Sequence, residues 1–266
     1  MSFPFVKGHG THNDFVVLPD LDGSVHGDLD SGVVTALCDR RGGIGADGVL
    51  RVLRSGHEAP WFMDYRNADG SVSEMCGNGV RVFARYLAEA DLVDPAKPLA
   101  VDTRDGLRQV TFCDDGEISV DMGVPKVGGA LTVSVSGRAL DGVSVDVGNP
   151  HAVAVVDSLD QAGELRDSPF HCGVEFPQGV NIEFVERRSD RHVAMRVFER
   201  GVGETSSCGT GACAVAAVMA AGDGEAAPTS YRIEVLGGVL TVSLDADQHA
   251  HLKGPAVLVA EGTWTG

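Results

Sequence analysis

The sequence predicts an α+β protein of two similar halves, each a set of short strands gathered on one helix. Three observations predict it. A cysteine motif opening an apolar helical run occurs twice, at Cys76-Gly77-Asn78-Gly79 and Cys208-Gly209-Thr210-Gly211, about half a chain length apart. Stretches that alternate apolar and polar residues, separated by Gly, Asn and Asp turns, flank both copies. Between them Gly123-Val124-Pro125-Lys126-Val127-Gly128-Gly129 is rich in Gly and Pro with little periodicity, and it reads as the boundary between a half at 1–122 and a half at 123–254.

Taken in order, strands are expected at 3–7 and 15–18, around the turn-rich His9-Gly10-Thr11-His12-Asn13-Asp14. A helix follows from Ser31 to about Arg40, with Ser31 as N-cap and Val33, Val34 and Leu37 on one face. Gly42-Gly43-Ile44-Gly45-Ala46-Asp47-Gly48 is a loop and not a dinucleotide fingerprint, because it follows a helix and precedes a strand. Strands at 49–53 and 61–65 lead to the turn Asn67-Ala68-Asp69-Gly70-Ser71, then to the first cysteine helix, ending near Ala90. Strands at 100–103, 108–112 and 118–122 complete that half. The second repeats the plan, with strands at 131–135, 144–147, 152–156, 182–186 and 193–198, the second cysteine helix, and strands at 233–235, 239–244 and 256–260.

Composition narrows the function. With 43% hydrophobic residues in 266 the chain can bury proper cores, and 38 acidic against 21 basic residues, net −17, argue against nucleic acid or an anionic membrane as partner. An anionic substrate then needs a local site of backbone amides and arginine. The N-terminus has no basic segment followed by an apolar core, and no apolar run approaches the about 20 residues of a membrane span. A cytoplasmic protein is expected. Its six cysteines are scattered without CxxC pairs, so reduced thiols are the default. His9 and His12 lack a third ligand, and no metal is expected.

The chemistry is expected at the two cysteines. The first turn of a helix carries N–H groups without intrahelical partners and the positive end of the macrodipole, so a cysteine there is favoured as thiolate and an anion beside it is bound by amides. Either copy alone reads equally well as a buried core cysteine on a Gly-rich helix start. Matched copies point to paired use. Cys38, Cys113, Cys172 and Cys213 read as packing.

From end to end the chain resembles the diaminopimelate epimerase family. The resemblance is carried by His9-Gly10-Thr11-His12-Asn13-Asp14-Phe15, Gly43-Ile44-Gly45-Ala46-Asp47-Gly48, Asn67-Ala68-Asp69-Gly70-Ser71, Met75-Cys76-Gly77-Asn78-Gly79, Gly148-Asn149-Pro150-His151, Asn181-Ile182-Glu183-Phe184 and Phe198-Glu199-Arg200-Gly201-Val202-Gly203-Glu204-Thr205. It implies two halves, each a mixed β-sheet rolled into a barrel around its central helix, with the active site in the cleft between them and the last strand, in 255–266, returning to the first half. It implies cofactor-independent interconversion of LL- and meso-2,6-diaminopimelate on the route to lysine and peptidoglycan, with Cys76 and Cys208 as acid and base, and a homodimer.

By the same resemblance Asn13, Asn67, Gly77, Asn78, Asn149, Asn181, Glu199, Arg200, Gly209 and Thr210 hold substrate, while His151 and Glu199 bias thiol ionisation. Read without the family, Asn13 is a turn asparagine, His151 an incidental histidine after a proline turn, and Glu199-Arg200 a solvated ion pair. Some family members carry a side-chain amide just after the aspartate of the glycine-rich loop; here Gly48 stands there. The alternatives are a proline racemase-like enzyme, a silent binding protein of the same fold, and a redox-controlled protein using a Cys76–Cys208 bridge.

Overall fold

The computed structural model describes residues 2–165, 168–169 and 176–266, and they divide into two compact units. One comprises Met1–Val120 and Gly254–Gly266, the other Asp121–Lys253.

In the first unit the strands are β1 (Phe3–Gly10), β2 (Asn13–Pro19), β3 (Gly48–Arg54), β4 (Trp61–Asn67), β5 (Leu99–Thr103), β6 (Gly106–Phe112) and β7 (Ile118–Asp121), with β17 (Val257–Trp264) from the end of the chain. They pair in the order β17-β1-β2-β3-β4-β5-β6-β7, antiparallel except for β2 with β3 and β4 with β5. Parallel neighbours need a crossover. The helix α1 (Ser31–Cys38) supplies the first and α2 (Gly77–Glu89) the second. Because α2 packs against β1, β2, β3, β4 and β17, the sheet is rolled on it, with Phe15, Leu50, Val82 and Phe83 fully buried.

The second unit repeats this succession. Its strands β8 (Lys126–Val135), β9 (Arg138–Asp146), β10 (Pro150–Val156), β11 (Asn181–Ser189), β12 (His192–Glu199), β14 (Thr229–Val235), β15 (Gly238–Leu244) and β16 (Ala250–Gly254) pair in that order, with β10/β11 and β12/β14 parallel and the rest antiparallel. The short β13 (Gly203–Thr205) folds back on the end of β12. The crossover from β12 to β14 is α3 (Gly209–Asp223), buried from Gly211 to Ala220 and closed by Gly224 in the left-handed conformation. An all-apolar helix needs cover on every side, and β8, β9, β10, β11, β14 and β15 supply it.

The mixed sheets rolled on the two cysteine helices agree with the expected fold. The sheets are open rather than closed barrels, since no pairing among the described residues of either unit joins its first strand to its last. Other details differ from expectation. Asp30, not Ser31, caps α1: its Oδ1 accepts the N–H groups of Gly32 and Val33 at 2.8 and 3.2 Å. The Gly/Pro segment is partly strand, because β8 starts at Lys126 and absorbs Gly128-Gly129 as a register shift. Cys38 and Cys213 are core residues, Cys113 is only half-buried, and Cys172 lies outside the described residues. Among the described residues no helix is long and apolar enough to cross a membrane.

Candidate active site

Each cysteine is the N-cap of its helix. Cys76 and Cys208 both have extended backbones, and their Sγ atoms accept the N–H of Gly79 and Gly211, each at 3.4 Å. The sulfur thus takes the place of the hydroxyl or carboxylate oxygen that usually satisfies a first-turn amide. The glycines matter for space. A Cβ at Gly79 would lie 3.4 Å from Cys76 Cβ and 3.2 Å from Leu50 Cδ2, and one at Gly211 would lie 3.3 Å from Cys208 Cβ.

In the first unit the β1–β2 hairpin turns at Thr11 and His12, both at positive φ, which delivers Asn13 to the start of β2. Asn13 Oδ1 accepts from Cys76 Sγ at 3.6 Å and from Asn78 Nδ2 at 3.2 Å. Its amide can face only one way, because Nδ2 donates to Asp47 Oδ2 at 2.8 Å, and a carboxylate only accepts. Arg40 bridges Asp47 and Asp14, and Lys7 pairs with Asp14 at 2.6 Å. Burial works to raise the Asp14 pKa, but hydrogen bonds from Arg40 and Lys7 outweigh it and bring it to about 2. Below, buried Arg81 donates to Asn78 Oδ1 at 3.0 Å and fixes that amide in turn. Asn67 makes its bonds within its own turn, donating from Nδ2 to Ser71 Oγ at 3.0 Å.

A Cβ at Gly48 would come within 2.5 Å of the Arg66 carbonyl oxygen. No side chain fits there without backbone movement, so this position can contribute through its backbone alone.

In the second unit His151 is fully buried, with Nδ1 2.7 Å from Glu183 Oε1 and Nε2 3.0 Å from Asn149 Oδ1. Asn149 Nδ2 donates to Thr210 Oγ1 at 3.4 Å, and Thr210 Oγ1 lies 3.5 Å from Cys208 Sγ. At the end of β12 the Glu199 carboxylate accepts the Thr205 hydroxyl, while buried Asn181 accepts the backbone N–H of Arg200 at 3.0 Å. Arg200 itself is exposed and, with Phe198 and Gly179, lines an open cavity of about 410 Å³.

The helix start favours thiolate, yet burial, then the Glu199 and Glu183 carboxylates, push the Cys208 thiol well above its ordinary range. The bonds from Thr210 and Gly211 oppose this and lose. The first turns of α2 and α3 present backbone amides to anions, with Gly77, Asn78 and Gly209 all buried at those positions. Among the described residues no group of three or more His, Cys, Asp or Glu is placed to hold a metal.

The profile of the family described as Diaminopimelate epimerase matches residues 5–128 and 143–259. The chain belongs to the diaminopimelate epimerase family. It is 51% identical to the diaminopimelate epimerase of Streptomyces coelicolor, over 97% of this chain and 94% of that one. It is 49% identical to that of Thermobifida fusca, over 97% and 96%. Membership makes it an isomerase with a small-molecule substrate. Two solved structures share the fold. A PhzF-family phenazine biosynthesis protein of Bacillus anthracis superposes with a TM-score of 0.79 at 18% identity, covering 100% of this chain and 99% of that one. A hydroxyproline epimerase of Agrobacterium vitis gives 0.71 at 16%, covering 98% and 92%.

Three residues of this candidate site were not singled out from the sequence. Arg81, a charge set between Val80 and Val82 on the helix, was a visible signal. Glu183, between Ile182 and Phe184, was another. Asp47 gave none, since its partner Asn13 is 34 residues away and spacing says nothing of such a contact.

Proposed function

We propose that the chain interconverts LL- and meso-2,6-diaminopimelate without a cofactor, on the route to lysine and peptidoglycan, using Cys76 and Cys208 as acid and base. The observation that carries this reading is the identical placement of the two sulfurs as N-caps, each facing an amide three residues on. Inverting a carbon that bears hydrogen, amino and carboxylate groups needs a base on one face and an acid on the other, since a single group tends to return the proton to the side it left. One thiolate takes the α-proton and becomes a thiol. The other thiol delivers its proton to the opposite face of the carbanion and becomes a thiolate, so charge is conserved and the ionisation pattern is exchanged.

Carbanion formation moves charge toward the α-carboxylate, and the amides of Gly77, Asn78, Gly209 and Thr210 at the two helix starts are the groups that would bind it. Asn13 and Asn149 complete that end of the substrate. Asn67, Asn181, Glu199 and Arg200 are assigned to the distal L-centre, whose ammonium and carboxylate need fixed partners; a site of that kind rejects analogues lacking them. His151 and Glu199 bias the thiols. In this reading the enzyme works in the cytoplasm as a homodimer, for which the exposed Val257 and Val259 on β17 are the supporting apolar surface.

The test is proton NMR of the reduced protein with LL-diaminopimelate in D2O, following α-deuterium incorporation and the meso isomer. Both are expected, and both vanish in Cys76→Ala. No exchange by demonstrably reduced protein overturns the reading, and exchange with proline instead moves the chain to the racemases.

A further inference from the structure

Glu183 is a buried carboxylate behind the second cysteine. It is fully buried in β11, and its Oε2 has no hydrogen-bond partner among the described residues. Such a group is costly, and its retention calls for a reason beyond packing. Space is kept for it at the start of α3, where a Cβ on Gly211 would come within 2.6 Å of Oε1.

From Glu183 a chain of contacts returns to the sulfur. Oε1 lies 2.7 Å from His151 Nδ1, His151 Nε2 lies 3.0 Å from Asn149 Oδ1, Asn149 Nδ2 donates to Thr210 Oγ1 at 3.4 Å, and Thr210 Oγ1 lies 3.5 Å from Cys208 Sγ. Both ring nitrogens face oxygens, so the arrangement has the ring donating to Glu183 Oε1 on one side and to Asn149 Oδ1 on the other. That choice fixes the next. With Oδ1 turned to the ring, Asn149 offers its NH2 to Thr210, whose oxygen is then an acceptor and whose own proton is left for the sulfur. A neutral ring with a bare Nε2 would draw the NH2 to itself, turn Oδ1 toward Thr210, and take that proton away from Cys208.

We infer that Glu183 is a positioning residue for Cys208, setting through His151 and Asn149 whether the Thr210 hydroxyl donates to the sulfur. The inference rests on the two-thiol reading and gives Glu183 a part in it. Glu183 on β11 and Glu199 at the end of β12 both act on the thiol by charge, while His151 on β10 connects to it through Asn149 and Thr210, so the test must separate hydroxyl orientation from bare charge.

The experiment is iodoacetamide labelling of reduced protein between pH 7 and pH 10, resolved cysteine by cysteine by mass spectrometry, on wild type, Thr210→Val, Glu183→Gln and the double variant. In the wild-type background Thr210→Val is expected to slow Cys208 labelling at pH 8 about fivefold, the loss of one hydrogen bond to the thiolate. In the Glu183→Gln background the same substitution is expected to change nothing, because the hydroxyl has already turned away. Equal slowing in both backgrounds overturns the inference, and so does no slowing in either. Fully buried Cys213 reports unfolding. Should it become reactive in Glu183→Gln, His151→Phe severs the same chain at its second link and carries the same expectation. Labelling reads the sulfur and not turnover, so a failure here is distinct from a failure of deuterium exchange.

Discussion

Gly79 donates its backbone N–H to Cys76 Sγ at 3.4 Å, and this bond makes the proposed acid–base group the cap of its own helix. Gly211 does the same for Cys208. Serine is a preferred N-cap, so Cys76→Ser and Cys208→Ser keep the cap while losing the thiol. Each variant is expected to unfold in urea at or above the wild-type midpoint, while kcat falls by about 10²–10⁴. Retained activity in either variant would remove that cysteine from the chemistry.

Much of this arrangement is legible in the sequence, and the limits have physical causes. Cys-Gly-x-Gly before an apolar run marked both helix starts, because glycine beside the cap and an unbroken small-residue face leave few other readings. The three residues of β13, Gly203-Glu204-Thr205, are too short to show a period. β16 does alternate, with Ala250, Leu252 and Gly254 buried, but its intervening His251 and Lys253 in a polar region hid it. Candidate residues close in sequence to a motif are legible there. The partners that orient them, Asp47 for Asn13 and Glu183 for His151, come from other strands and loops, and the register that joins them is set by the rolled sheet.

Acid should weaken the first unit through Asp14. Its folded pKa of about 2 lies below the ordinary 3.8, so its ion pairs with Lys7 and Arg40 stabilise the fold fully above about pH 4 and are lost as pH falls toward 2. Asp14→Asn is expected to lower the urea midpoint at pH 7, with the gap to wild type closing between pH 4 and pH 2. A gap that persists at pH 2 would show that the substitution acts by packing instead.

Arg81 links stability to the first cysteine. It is fully buried, donates to Asn78 Oδ1 at 3.0 Å and from Nε to the Pro255 carbonyl at 3.4 Å, and Asn78 in turn holds Asn13. Lysine keeps the charge but not the planar fork that reaches both acceptors. Arg81→Lys is expected to cost about 2 kcal/mol in urea unfolding, the scale of one lost charge-assisted bond, and to lower kcat/KM. Unchanged kinetics with lowered stability would confine Arg81 to the core.

Two glycines of α3 should respond to alanine in opposite directions. Gly222 has open space where a Cβ would go, so Gly222→Ala removes unfolded-state freedom without a clash and is expected to stabilise by up to about 1 kcal/mol. At Gly211 the added methyl meets Glu183 Oε1 at 2.6 Å and Cys208 Cβ at 3.3 Å. Glu183 has nowhere to retreat, being fully buried and tied to His151 at 2.7 Å, so Gly211→Ala must shift the carboxylate or the helix start. A cost of about 1–3 kcal/mol is expected, together with a fall in kcat that Gly222→Ala does not show. Urea unfolding and steady-state rates of the two variants side by side are the check. A Gly211→Ala protein as stable and as active as wild type would mean that the carboxylate is not packed against the helix start.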